Sequence, residues 1–370
     1  MRILIFGAGS SMSAGYPSAN ALIPAVGNFV EEWSDATLKE YWRRWDSWRT
    51  NTELPKRIVF NPNPEVVLSL PDLYEAATRF ADEAEMHDVL EKHRAGKLTE
   101  EELRNHKEYY KSEERKRVDE VWLARVGFIE CLQRFFFYRH YLDASNRGQR
   151  DYLRRHLARL SRGDVVITLN WDTTAERTLA EQGYWNPISG YGFKKDLRAM
   201  PYGESLSPDV STESKVTVLK LHGSIGWHES AAGGIYFERP RFLSRLDFWS
   251  NGKPLSLEDP EAPIGPAEDP VLLYPSYLKQ LKGPVMQQIW HLAAEALRGT
   301  EQVEIYGYSL PESDLAVRTL FNILRFRAES GTLRVLVHDP SADSQERWKV
   351  FLGPKALVGG RRIEEEPPTD

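Results

Sequence analysis

Five short segments carry residue types that can do chemistry together. Gly7–Pro17 (GAGSSMSAGYP) follows a short apolar run. Its glycines let backbone approach a phosphate, and amides at a following helix N-terminus can hold the charge. Met12 stands where the dinucleotide-binding fingerprint has its third glycine, so a tight turn without ligand is the other reading. Thr168–Asp172 (TLNWD) sets Asn170 and Asp172 two residues apart, on one side of an extended chain. Asp172 is equally suited to cap a helix starting near Thr173. Lys220–Trp227 (KLHGSIGW) presents His222 before Gly223, a candidate general base or a satisfied turn histidine. Ile305–Asp314 (IYGYSLPESD) leads from a strand through Gly307 and Ser309 into a helix expected to begin at Pro311. It is a second place for a phosphate, or an ordinary strand-to-helix turn. Val337–Pro340 (VHDP) ends in Asp339, which can hold a ribose or simply make a turn.

Each segment closes or follows an apolar run. Residues 2–6 read as a buried parallel strand, and similar runs recur at Val165–Leu169, Val216–Leu221, Val271–Tyr274, Val303–Tyr306 and Leu333–Val337. Helical patterns separate several of them. Val285–Leu297 carries Met286, Ile289, Ala293 and Leu297 on one face, and the helix from Pro311 carries Leu315, Leu320 and Leu324. This alternation predicts an α/β fold with a doubly wound, Rossmann-like parallel sheet. From about Gly27 to Ser161 strand signals are missing. Asp35–Trp48, Pro71–Arg94 and Thr99–Leu142 read as helices, the last with Val121, Leu123, Val126, Ile129, Leu132 and Phe135 to Phe137. The expected organisation is an α/β domain from 1–27 and 161–358, a large all-helical insertion at 28–160 and a disordered tail at 359–370. Residues 229–270, rich in Gly and Pro, carry a hairpin at Gly233–Phe237.

Composition narrows the function classes. The 370-residue chain has a net charge of −6, so it lacks the overall pull toward phosphate polymers, and no direct nucleic-acid partner is expected. Basic clusters at Arg115–Arg117 and Arg154–Arg162 read as solvated helix faces. A single cysteine, Cys131, excludes an intramolecular disulfide and a cysteine-based zinc site, and no metal is expected. With no signal-peptide core and no span-length apolar stretch, the expectation is a cytoplasmic protein with no membrane association.

Taken in order, the set GAGxSxxAGxP, TxNxD, LHGS and GxSL resembles the sirtuin family. Gly7, Ala8, Gly9, Ser11, Ala14, Gly15 and Pro17 match its opening motif. Thr168, Asn170 and Asp172 match its TQNID segment, His222 and Gly223 its His-Gly, and Gly307, Ser309 and Leu310 its late GTSL loop. The resemblance covers about half the chain. It departs where deacylases have Pro-Asp-Phe-Arg and this chain has Pro17 to Asn20 (PSAN), and where they carry a four-cysteine zinc module. The phrases LHGSIGW and GYSLPESD are similar to the bacterial sirtuin-like branch found in anti-phage defence.

That resemblance implies NAD⁺ as substrate and hydrolysis of its nicotinamide–ribose bond, depleting the infected cell. It implies His222 as general base, Asn170 positioning water or ribose, and Asp172 binding the nicotinamide carboxamide. Gly7, Ala8, Gly9, Ser11 and Ser309 would hold the pyrophosphate and nearby ribose, and Asp339 the adenosine ribose. Gly15, Pro17, Thr168, Gly223, Ser224 and Gly307 complete the implied binding set. Enzymes of this kind are held off until triggered. The implied partners are therefore copies of the same chain in a homo-oligomer, a partner ATPase or nuclease, and a phage-derived trigger. The helical block would serve as oligomerisation surface or gate. Alternatives are a non-catalytic NAD⁺ or ADP-ribose sensor, and a protein deacylase or ADP-ribosyltransferase. A dehydrogenase fits least, since Met12 breaks the fingerprint and Glu31 and Glu32 follow a helical pattern.

Overall fold

Strands covered on both faces need runs rich in Ile, Val and Leu, and the runs found here supply them, with Glu304 and Lys220 as buried charged interruptions. The computed structural model describes residues 1–18, 21–33, 35–51, 113–145, 150–186, 189–193, 198–199, 213–229, 235–237, 270–273, 284–312, 314–360 and 362–365, with single positions between 92 and 104. Along the chain the elements are β1 (Arg2–Phe6), a 3₁₀ turn (Ala8–Ala14), α1 (Leu22–Glu32), α2 (Ala36–Asn51), α3 (Glu113–Ser145) and α4 (Asp151–Leu157). Next come β2 (Val165–Thr168), α5 (Thr174–Glu181), β3 (Arg198–Ala199), β4 (Thr217–Lys220), β5 (Gly223–Glu229), β6 (Ile235–Phe237) and β7 (Pro270–Leu272). The last are α6 (Pro284–Gly299), β8 (Gln302–Tyr306), α7 (Leu315–Ser330), β9 (Arg334–His338), α8 (Ala342–Leu352) and β10 (Leu357–Gly359).

Two compact units result: residues 1–21, 136–273 and 279–370, and residues 22–135 with 274–278. In the first, six parallel strands lie in the order β4-β2-β1-β8-β9-β10. By chain order these are strands 3-2-1-4-5-6, the doubly wound arrangement, so the fold is α/β and Rossmann-like. The order reverses between β1 and β8. Five strands end in register: Lys220 pairs with Thr168, Thr168 with Phe6, Phe6 with Tyr306 and Tyr306 with His338. The next residues, Leu221, Leu169, Gly7, Gly307 and Asp339, therefore leave one edge of the sheet together. This in-register rim is what brings the five segments to one end of the fold.

Helix α6 buries Val285, Met286, Ile289, Trp290, Ala293 and Leu297, the face its spacing predicts with two additions. Helix α7 departs from expectation. It starts at Leu315 rather than Pro311, because the Asp314 carboxylate accepts the Val317 amide and caps it. Its buried face is Val317, Phe321, Leu324 and Ala328, and Leu315 is exposed.

Other expectations fail for local reasons. Of the run at Val271–Tyr274, Val271 and Leu272 lie in β7, but β7 pairs antiparallel with β5 in a separate four-stranded sheet, β3-β6-β5-β7, and Tyr274 lies outside the described residues. An apolar run specifies a strand and not its partner. Helix α4, expected in the insertion, packs into the sheet core through Tyr152, Leu153 and Leu157. Of the expected tail at 359–370, Gly359 closes β10, and Ile363 is buried with its carbonyl 2.8 Å from His156 Nε2. Arg159 is not on a solvated face; it forks onto the fully buried Glu304 at 2.9 and 3.0 Å. Pro71–Arg94 lies almost wholly outside the described residues, as do Gly233 and Gly234 of the hairpin.

The second unit consists of helices among the described residues. Trp45 is fully buried against Phe128 at 4.5 Å between ring centroids, and the Cys131 thiol donates to the Leu38 carbonyl. Gly27 fits against the Trp42 ring, where a Cβ would come within 2.7 Å. Burial pushes the Cys131 thiol far up, which makes it an inert core group.

Among the described residues no helix is long and apolar enough to cross a membrane.

Glu304 supplies a pH dependence. Burial pushes its carboxyl up, but hydrogen bonds from Arg159 and Tyr306 outweigh that and hold it below the ordinary range. A depressed folded value means the ionised group stabilises the fold above the unfolded value of about 4.5. That contribution is lost as pH falls through the lower folded value. Glu304→Gln is expected to flatten the acid side of a stability–pH curve measured by urea unfolding. An unchanged acid limb would remove Glu304 from the account.

Candidate functional site

The opening loop and the late loop meet backbone to backbone where the strand order reverses. Gly7 N donates to Tyr306 O at 3.0 Å and Gly9 N to Gly307 O at 2.9 Å. A Cβ on Gly7 would lie 2.6 Å from Gly307 O, and one on Gly307 would lie 2.4 Å from Ser10 N. Gly307 also has φ +62°, which side-chain-bearing residues rarely adopt. The glycines are thus required by the joining of the two loops.

This joining also consumes amides. Besides those of Gly7 and Gly9, the Ser10 amide is bonded to Gly7 O at 2.9 Å. The element that follows is a seven-residue 3₁₀ turn from Ala8 to Ala14, closed by Gly15 at φ +89° ahead of the half-buried Pro17. The expected helix N-terminus with free amides is not what forms. Hydroxyls take its place on the inner side: Ser10 and Ser11 are both buried, whereas Met12 is exposed.

Asn170 docks on those hydroxyls. Its Nδ2 lies 2.9 Å from Ser11 Oγ and 3.3 Å from Ser10 Oγ, and its backbone amide donates to Thr168 Oγ1 at 3.1 Å. Ser10 spends its one hydroxyl proton on Gly7 O at 2.7 Å, so toward Asn170 it accepts. That choice orients the carboxamide, turning Nδ2 to the serines and leaving Oδ1 as a buried acceptor with no partner among the described residues.

His222 sits one strand over. Its Nδ1 is 3.0 Å from the Leu169 carbonyl, beside Asn170, and its Nε2 is 3.2 Å from Asp314 Oδ2. Asp314 Oδ2 also accepts from the Tyr308 hydroxyl at 2.8 Å. The backbone around the histidine is pinned by Trp290 Nε1 on Leu221 O and by Leu273 N on His222 O. Gly223, at φ +76°, passes so close to Val271 O that a Cβ would fall 1.9 Å from it. Ser224 Oγ is buried with no partner among the described residues.

Beneath this rim lies a buried ion pair. Lys220 Nζ is 2.8 Å from Glu176 Oε1 and donates to the Asp172 carbonyl at 2.5 Å, with both side chains fully buried. Tyr191 donates to the same Glu176 oxygen at 3.2 Å. Burial pushes the Glu176 carboxyl above its ordinary range while Lys220 pulls against it.

The structure thus joins Gly7, Gly9 and Gly307 to one another, Ser11 to Asn170, and the chain at Leu169 to His222. Other expected residues are occupied locally. Asp172 Oδ1 accepts the Thr174 amide in a turn bond, one residue ahead of Thr173, which is the N-cap of α5. Asp339 Oδ1 accepts the Ser341 amide, and its carbonyl accepts from Gln345. Ser309 is tied through its carbonyl to Arg347 Nε. Sequence reasoning missed Asp314, Tyr308, Ser10 and the Lys220–Glu176 pair. For Asp314 a signal exists, an aspartate just before an apolar helical run. Set against models of known protein families and against curated proteins, the chain matches none.

Proposed function

We propose that this chain is an NAD⁺ glycohydrolase, releasing nicotinamide and ADP-ribose. The observation that carries the reading is Asn170. An oriented, buried carboxamide oxygen without a partner among the described residues stands at a strand end beside the segment that holds His222. Ligands of doubly wound sheets bind along this edge where the strand order reverses. A ribose hydroxyl or a water molecule is a donor of the kind that oxygen requires.

In the proposed reaction the bond between ribose C1′ and the nicotinamide nitrogen breaks, and its electron pair goes to the cationic ring. Water oxygen bonds C1′ of the oxocarbenium-like ribose, and its proton passes to His222, directly or through a ribose hydroxyl. Asn170 orients the water or the ribose. The two joined glycine loops and Ser11 border the pyrophosphate. A role in anti-phage defence by NAD⁺ depletion, a homo-oligomeric state and a partner ATPase, nuclease or phage-derived trigger belong to the same proposal and rest on the sequence resemblance.

One observation favours a second reading. Both ring nitrogens of His222 already face protein acceptors, which suits a non-catalytic sensor of NAD⁺ or ADP-ribose. Incubation with NAD⁺ separates the two. Equimolar nicotinamide and ADP-ribose are expected. NAD⁺-dependent thermal stabilisation with no nicotinamide release, from the chain alone or with extract of phage-infected cells added to supply a trigger, would favour the sensor, and neither effect in either setting would end both readings.

A further inference from the structure

We infer that Asp314, carried by the late loop, is the positioning residue of His222: it fixes the imidazole through Nε2 and stabilises the charge the ring acquires. As a role in catalysis this rests on the proposed glycohydrolase reading; the pairing itself does not.

The argument is one of donors and acceptors. Nδ1 of His222 faces the Leu169 carbonyl, which can only accept, so Nδ1 carries a proton. Nε2 faces Asp314 Oδ2, a second acceptor. A ring between two acceptors is best satisfied when both nitrogens are protonated, and a carboxylate is the partner that compensates the charge. Asp314 is itself held still. Oδ1 accepts the Val317 amide, Oδ2 accepts from Tyr308, and the residue is 3% exposed. The carboxylate thus stands at the N-terminus of α7, a 16-residue helix whose dipole favours negative charge there.

The consequence for chemistry is definite. With Nδ1 committed to a carbonyl, Nε2 is the nitrogen that must take a proton from a hydroxyl or water. Once it has done so, the imidazolium lies against Asp314. In the familiar triad the orienting carboxylate is on the nitrogen remote from the substrate, whereas here it flanks the working nitrogen.

Asp314→Asn is the discriminating variant. Asparagine caps a helix about as well as aspartate, so the fold should be kept. Its amide, however, presents Nδ2 where Oδ2 stood and turns an acceptor toward Nε2 into a donor. The full-length chain is labelled with ¹⁵N-histidine, and His222→Gln assigns the signal. In the wild type at neutral pH Nδ1 is expected in the protonated range and Nε2 between the protonated and unprotonated ranges, so that a neutral fraction remains to accept the proton. In Asp314→Asn Nδ1 should remain in the protonated range and Nε2 move to the unprotonated one, with kcat for nicotinamide release about 10- to 100-fold lower and KM within about two-fold. A loss confined to KM, an unchanged imidazole signal, or a variant as fast as or faster than wild type would overturn the assignment. A wild type that releases no nicotinamide under any condition would remove the catalytic role together with the glycohydrolase reading. In that case the imidazole signal alone decides the pairing.

Discussion

Asn170→Ala and His222→Ala are each expected to lower nicotinamide release from NAD⁺ by about 10²- to 10⁴-fold, the range spanned by positioned hydrogen-bonding and acid–base groups. The two losses should differ in kind. Removing Asn170 deletes an oriented acceptor whose direction is set by Ser10 and Ser11. If it holds the ribose in both ground and transition states, KM rises with little change in kcat. If it orients water, kcat falls alone. Removing His222 deletes the proton acceptor and should act on kcat. Both positions are buried at the rim, and the bonds of their side chains go to Ser10, Ser11, the Leu169 carbonyl and Asp314, all outside the strands of the central sheet. Folded variants are therefore expected, and circular dichroism would establish that before kinetics are read. Two folded variants with wild-type rates would end the role assignment, and with it the reason for placing chemistry at this edge.

What could be read from the residues was the strands and what ends them. Val165–Ile167 and Ile3–Phe6 are apolar without alternation, which is what strands covered on both faces of a parallel sheet require, whereas Val303–Tyr306 is interrupted by the buried Glu304. The order of the glycine, asparagine and histidine segments was legible for the same reason, since each terminates such a run. What the residues did not disclose was partnership. Nothing in Pro270–Leu272 says that β7 joins β5 rather than the central sheet. Nothing in GAGSS says that the Gly7, Gly9 and Ser10 amides are used by Tyr306, Gly307 and Gly7 itself. These are long-range or turn-specific bonds, and local spacing carries no record of them. Asp314 shows a milder case. A proline at the first helical position and an aspartate cap compete for the same helix start, and only the cap brings a carboxylate to His222.

Lys220 is the residue whose sequence context discloses least, and its replacement should have the largest effect on stability. A lysine inside the run Val216–Leu221 carries no sign of its partner in the residues around it. Its ammonium is fully buried between Glu176 and the Asp172 carbonyl. Lys220→Met keeps the length and apolar stem but leaves a buried carboxyl without its cation, with Tyr191 as remaining partner. Breaking a buried pair from one side costs about 3–5 kcal/mol, a large share of the 5–15 kcal/mol typical of a folded domain. The loss should appear as a lower urea midpoint with an unchanged m-value. The double variant Lys220→Met with Glu176→Leu decides the cause. If the single variant suffers from an uncompensated carboxyl, deleting that carboxyl should restore much of the stability, because an apolar pair of similar volume is often no worse than the ions it replaces. The double variant would still lack the bond from Nζ to the Asp172 carbonyl, which holds the turn after Asn170. It is therefore expected to recover stability more fully than nicotinamide release. Equal stability of the single variant and the wild type would mean that the pair contributes nothing to the fold. Equal recovery of both properties would mean that the turn needs no tether.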